Sequence, residues 1–173
     1  MIVNASPLII FGKLNRIDIL KNLYKKIEIT NEVYREVVLK GVEQNLRDAL
    51  VVKEHIDDKN INIFTLAPKF FDTASRIQLI YNIDIGEAET IALALQLNKK
   101  EIIIDEIAAR EAAKAFGIKT IGSLRVLLIA YREGLIDKEE INNFINEMEN
   151  SKYRFSTKVL LEFWDLLGKI KKK

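Results

Sequence analysis

Two polar side chains each stand directly after a short apolar run: Asn4 follows Ile2-Val3, and Asp105 follows Ile102-Ile103-Ile104. Runs of this kind suit strands, and in an open parallel sheet sites gather at the carboxyl ends of the strands. If both strands are central, Asn4 and Asp105 reach one crevice, where an acid from the first turn of a neighbouring helix, Glu87 or Glu89, could join them. An oxygen-only lining of this kind suits a hard divalent cation such as Mg²⁺ or Mn²⁺. Each residue also has a plainer use. Asp105 is placed to cap a helix starting at Glu106, worth ~1 kcal/mol. Glu87 and Glu89 complement a helix dipole, worth ~0.3 to 1 kcal/mol. On spacing alone the plainer uses carry more weight.

Other chemistries are excluded by what the chain lacks. It has no cysteine, so disulfides, thiolate nucleophiles and Cys-ligated metal centres are ruled out. A single histidine, His55, cannot build a His-rich cage, and no G-x-S-x-G elbow accompanies it. No G-x-G-x-x-G or phosphate-loop pattern is present, and Gly12-Lys13 lacks the upstream glycine. The formal charge of +2, from 27 basic and 25 acidic residues, gives little whole-molecule attraction for nucleic acid, so such a partner needs a local patch.

The elements that must position these residues are legible as an alternation. Ile2-Val3 reads as a strand, Ser6-Pro7 as a helix start running through Leu14, and Lys26 to Thr30 as a second strand. A helix over Glu32 to Leu39 follows, then one over Glu43 to Glu54, a strand Ile61 to Thr65 and a helix Ala74 to Tyr81. Glu87 to Leu97 is the clearest helix, rich in alanine and leucine. The strand Ile102 to Ile104, a helix Glu106 to Phe116, the strand Lys119 to Ile121 and helices Leu124 to Glu133, Asp137 to Asn150 and Thr157 to Lys169 complete the pattern. Short apolar strands alternating with helices predict a mainly parallel sheet covered on both faces, an α/β/α arrangement with extra C-terminal helices. At 173 residues, without repeats or a Pro-rich hinge, the chain is expected to form one domain, with a core of about 1–133 and a helical extension of about 134–173. No basic leader with a long apolar run follows Met1, and no apolar run approaches the ~20 residues that span a bilayer, which predicts a soluble, cytoplasmic protein with no membrane partner.

Asn4-Ala5-Ser6-Pro7-Leu8, Glu36 within Val33-Tyr34-Arg35-Glu36-Val37-Val38, Gly86-Glu87-Ala88-Glu89-Thr90-Ile91-Ala92-Leu93-Ala94, and Ile102-Ile103-Ile104-Asp105 together resemble the PIN-domain family over roughly residues 1–133. With the closing Ile121-Gly122-Ser123-Leu124-Arg125-Val126-Leu127-Leu128, they look like a VapC-type toxin branch. The resemblance implies a three-layer α/β/α fold and an endoribonuclease that uses Mg²⁺ or Mn²⁺ to activate a water for attack on RNA. It implies a metal set of Asn4, Glu36, Glu87 and Asp105, with Glu36, Glu87 and Asp105 as catalytic acids. Glu87 is preferred over Glu89 because the family's acid precedes alanines at the spacing of Ala92 and Ala94. From its own surroundings Glu36, at the margin of an apolar helix face, reads as solvated surface. Ser6 falls where the family often has a hydroxyl near the metal, although its plain reading is a cap for the helix at Pro7.

The sequence departs from the family at Asn4, where the typical member has Asp, so the site loses one negative charge. Asp105 is followed by Glu106 rather than Asp, and Glu106, like Glu89, is a secondary candidate. Arg110, Arg125 and the basic tail of Lys169, Lys171, Lys172 and Lys173 are candidate substrate contacts, the tail reading more simply as a solvated end. The family implies RNA as substrate, a homodimer, and an antitoxin protein that would cover the Glu43 to Glu54 region or the C-terminal helices. Asn4 favours a competing reading, a non-catalytic RNA- or protein-binding module with a degraded metal site.

Overall fold

A computed structural model describes residues 1–150 and 155–171. The chain divides into two compact units, Met1–Gly122 and Ser123–Lys173. The first unit runs β1 (Ile2–Val3), α1 (Ala5–Lys13), α2 (Ile17–Tyr24), β2 (Ile27–Thr30), α3 (Asn31–Tyr34), a π-helical stretch (Arg35–Leu39), α4 (Lys40–Glu43), α5 (Arg47–Asp57), β3 (Ile61–Phe64), α6 (Pro68–Tyr81), α7 (Ile85–Gln96), β4 (Glu101–Ile103), α8 (Ile107–Ala115) and β5 (Lys119–Ile121). Its five strands form one parallel sheet in the order β3-β2-β1-β4-β5, flanked by helices as a three-layer α/β/α fold. The strands are apolar on both sides because helices cover both faces of the sheet.

Strand order reverses direction between β1 and β4, since the chain travels outward through β2 to β3 and separately through β4 to β5. Ile2 pairs with Ile102 and Val3 with Ile103. The Asn4 backbone N–H extends this ladder by donating to the Ile103 carbonyl at 2.9 Å. On one face Ile2, Ile102 and Ile104 pack into a core with Ala88, Ile91 and Ala92 of α7, together with Ala74 and Ile77 of α6 and Ala109, Ala112 and Ala113 of α8. Helix α7 touches β1, β2 and β4, and its residues from Gly86 to Ala94 are buried. Small alanines allow that helix to lie close against the sheet.

Several element bounds differ from the sequence reading for local reasons. The segment read as one helix from Glu43 to Glu54 is split, because Asn45 adopts a left-handed φ of 56° between α4 and α5; asparagine tolerates that conformation. Helix α6 starts at Pro68 rather than Ala74, proline being well suited to a first turn whose N–H has no partner. Helix α1 starts at Ala5 with Asn4 as its flanking residue, so Ser6 lies inside the first turn and does not cap it.

The second unit consists of α9 (Ser123–Arg132), α10 (Lys138–Asn150) and α11 (Thr157–Lys169). Ile141, Phe144, Ile145 and Met148 form the buried stripe of α10 at helical spacing. The Ser156 hydroxyl caps α11 by accepting from the Val159 N–H at 3.3 Å. Of the basic tail, Lys169 pairs with Asp165 at 2.6 Å, and Lys172 and Lys173 lie outside the described residues. Among the described residues no helix is long and apolar enough to cross a membrane.

Close approach of α4 to α5 depends on Gly41, where an added Cβ would stand 2.6 Å from the Cβ of Ala49. Alanine would gain ~1 kcal/mol of helix propensity, but overpacking costs ~1 to 3 kcal/mol. With the two Cβ atoms so close the cost falls at the upper end of that range, and Gly41→Ala is expected to lower stability by about 2 kcal/mol in urea denaturation, with Ala49→Gly in the same chain recovering most of the loss. A single variant as stable as the parent would show that the two helices are free to separate.

Candidate active site

The register of β1 against β4 sets Asn4 beside the chain leaving β4, and the site grows from that pair. The Asn4 Nδ2 donates to Glu106 Oε2 at 3.4 Å. Ser6, one helical step along α1, donates its hydroxyl to Glu106 Oε1. Thr90 of α7 reaches the other end of the amide, 3.2 Å from Asn4 Oδ1. Asn4 and Thr90 are buried, and Ser6 and Glu106 are half-buried.

Glu87 enters from the first turn of α7, where it forms a capping box with Asp84 and accepts the Asp84 N–H at 2.9 Å. It is 8% exposed, so its charge is poorly hydrated. Burial pushes the Glu87 carboxyl up to about 7; the Asp84 N–H opposes the rise, and the negative charges of Glu106, Asp84 and Glu36 add to it. Glu36 comes from the π-helical stretch, and its Oε2 lies 3.3 Å from where a Cβ on Gly86 would stand, so the absent side chain admits it to the start of α7. Although Glu36 keeps an exposed surface, its carboxyl also sits above the usual range. Desolvation is the main cause, offset by Lys40 and reinforced by Asp84, Glu106 and Glu32.

The structure thus brings together Asn4, Ser6, Glu36, Glu87 and Glu106. The hydrogen bonds from Asn4 Nδ2 and the Ser6 hydroxyl go to Glu106, which the sequence offered as a secondary candidate beside Asp105. The Asp105 Oδ1 lies 3.2 Å, and the Arg110 Nη1 3.7 Å, from the position a Gly122 Cβ would take. Asp105 does not cap α8, since Glu106 is the flanking residue and the end has no side-chain cap.

Glu89 is turned toward the start of α3. It bonds to the Thr30 hydroxyl and the Glu32 backbone N–H, while burial raises its carboxyl above the usual range. Arg110 donates from Nε to the Thr120 hydroxyl at 3.2 Å and is otherwise exposed. Arg125 is an exposed residue of α9, in the second unit. Asp84 and Thr90 are the members that sequence reasoning missed. The Asp-x-x-Glu spacing of a capping box was available as a signal for Asp84.

Among the described residues no three Asp, Glu, His or Cys side chains are gathered tightly enough to hold a metal ion. The donor chemistry nonetheless fits a hard divalent cation: amide and carboxylate oxygens, with carboxylates that raise one another's proton affinity. A cation would have to draw these oxygens inward.

A PIN-domain family model matches residues 1–169, and the chain belongs to the PIN-domain family. No curated protein matches it. The family has a nuclease-like fold and generally uses divalent metals.

An acid whose pKa is higher in the fold than in the unfolded chain, about 4.3, binds its proton more tightly when folded. The stability it confers is complete below that value and is lost as pH rises through about 7, the folded value for Glu87. In EDTA the Tm is expected to fall by about 3 to 6 °C between about pH 5 and about pH 8. Glu87→Gln should flatten most of that fall. Circular dichroism melts across the range measure both, and a wild-type Tm that rises with pH would contradict the account.

Proposed function

We propose that the protein is a divalent-cation-dependent endoribonuclease of the VapC toxin type. The observation that carries this reading is the convergence of Asn4, Glu36, Glu87 and Glu106 at the point where strand order reverses, with Glu87 and Glu36 desolvated and mutually repelling. A concentration of negative charge in poor contact with water is costly for folding and useful for holding a cation.

In this reading Asn4, Glu36, Glu87 and the Asp105-Glu106 pair hold Mg²⁺ or Mn²⁺. The bound ion supplies positive charge that activates a water and offsets the charge building on a phosphodiester under in-line attack. The chain's own residues do the positioning: Ser6 fixes Glu106, the Asp84 N–H fixes Glu87, and Gly86 leaves space for Glu36. Arg110 and Arg125 are proposed to contact the RNA. A cytoplasmic setting, a homodimer and an antitoxin partner belong to the same proposal.

A second reading, a non-cleaving binding module, is favoured by Asn4, an amide that donates to Glu106 and brings no negative charge of its own to the crevice. Cleavage of single-stranded and structured RNA with Mn²⁺, Mg²⁺ or EDTA separates the two. The nuclease is expected to cleave with either metal, to stop in EDTA, and to lose at least a hundredfold of its rate in Glu87→Gln/Asp105→Asn and in Glu106→Gln. An inert wild type that gains cleavage through Asn4→Asp would establish the binding module instead.

A further inference from the structure

The Thr90 hydroxyl lies 2.7 Å from the Gly86 carbonyl and 3.2 Å from Asn4 Oδ1. A hydroxyl has one proton and two lone pairs, so it cannot donate fully to both oxygens. The nearer partner is the Gly86 carbonyl, one turn back in the same helix. With its proton committed there, Thr90 offers Asn4 a lone pair, which an amide NH₂ satisfies and an amide oxygen does not. Turning the Asn4 amide over preserves its shape and exchanges the two ends. Nδ2 then donates to Thr90, and Oδ1 faces Glu106 and the other carboxylates.

Each orientation is matched to a different charge in the crevice. With ionised carboxylates and no cation, Nδ2 is best pointed at Glu106, as the 3.4 Å contact has it. With a cation present, an N–H directed at it is repulsive and Oδ1 becomes a ligand. We infer that Thr90 is a positioning residue that accepts the Asn4 amide N–H when a cation binds, allowing Asn4 to present its amide oxygen to that cation. The inference rests on the cation-dependent reading above. It gives Asn4 a working role within it.

Mn²⁺ binding measured by titration calorimetry on folded, metal-stripped protein tests this without an activity assay. Thr90→Val, nearly the same shape but without the lone pair, is expected to bind Mn²⁺ about tenfold more weakly, while Thr90→Ser binds as the wild type does. In an Asn4→Ala background, Thr90→Val should have no further effect, because Thr90 acts through the amide. In the wild type itself, Mg²⁺ should shift the side-chain NH₂ resonances of Asn4 as that group leaves Glu106. Undiminished Mn²⁺ binding by Thr90→Val, an effect that persists without Asn4, or unmoved Asn4 resonances on saturation with Mg²⁺ would overturn the inference. Failure of the wild type to bind either metal would instead overturn the cation reading, and the inference with it.

Discussion

Everything at this site depends on two residue pairs in the middle of a parallel sheet. Ile2 and Val3 are the whole of β1, and they pair with Ile102 and Ile103. So short a strand holds its register through burial: both residues are fully enclosed, and a slip of one position would turn each side chain to the opposite face. The next backbone bond, from the Asn4 N–H to the Ile103 carbonyl, transfers that register from the core to the crevice. Helix α7, packed across β1, β2 and β4, then brings Glu87 and Thr90 to the same point.

Competing forces meet in Glu87. The carboxylate caps its own helix, an arrangement that favours ionisation through the Asp84 N–H, while burial and three neighbouring acids favour the protonated form. Burial wins. A side chain with an ordinary structural task is thereby kept near the point of releasing a proton, and the capping and site roles that spacing presented as alternatives coexist in one residue. Glu89, two residues on, shows the contrast: its bonds to Thr30 and Glu32 tie the carboxylate to the start of α3.

The sequence made the alternation of strands and helices legible, because Ile2-Val3, Ile102 to Ile104 and the alanine-rich stretch after Gly86 have no other economical burial. The crevice was legible too, from polar residues that end apolar strands. The bond between Asn4 and Glu106 was not, since it depends on the direction of one extended residue rather than on composition. Thr90 was hidden for a related reason. In sequence it is one more residue in a helical run, and its relation to Asn4 arises only through packing of α7 on β1. The start of α6 was missed because Pro68 read as punctuation when it was serving as a first-turn residue.

The π-helical stretch that carries Glu36 closes its turns with one residue more than an α-helix does, the Lys40 N–H reaching back to the Arg35 carbonyl. Deleting one residue from Arg35–Leu39 would regularise these hydrogen bonds and improve the helix taken by itself. Because the wider turn already takes up the extra residue, the helix beyond it would keep nearly the same phase and Gly41 would stay on the face that meets Ala49, while the side chains within the stretch would be re-aimed. A chain that lost the extra residue could therefore keep the α4–α5 packing and still lose the aim of the Glu36 carboxylate, so the wider turn serves the crevice rather than the helix that contains it.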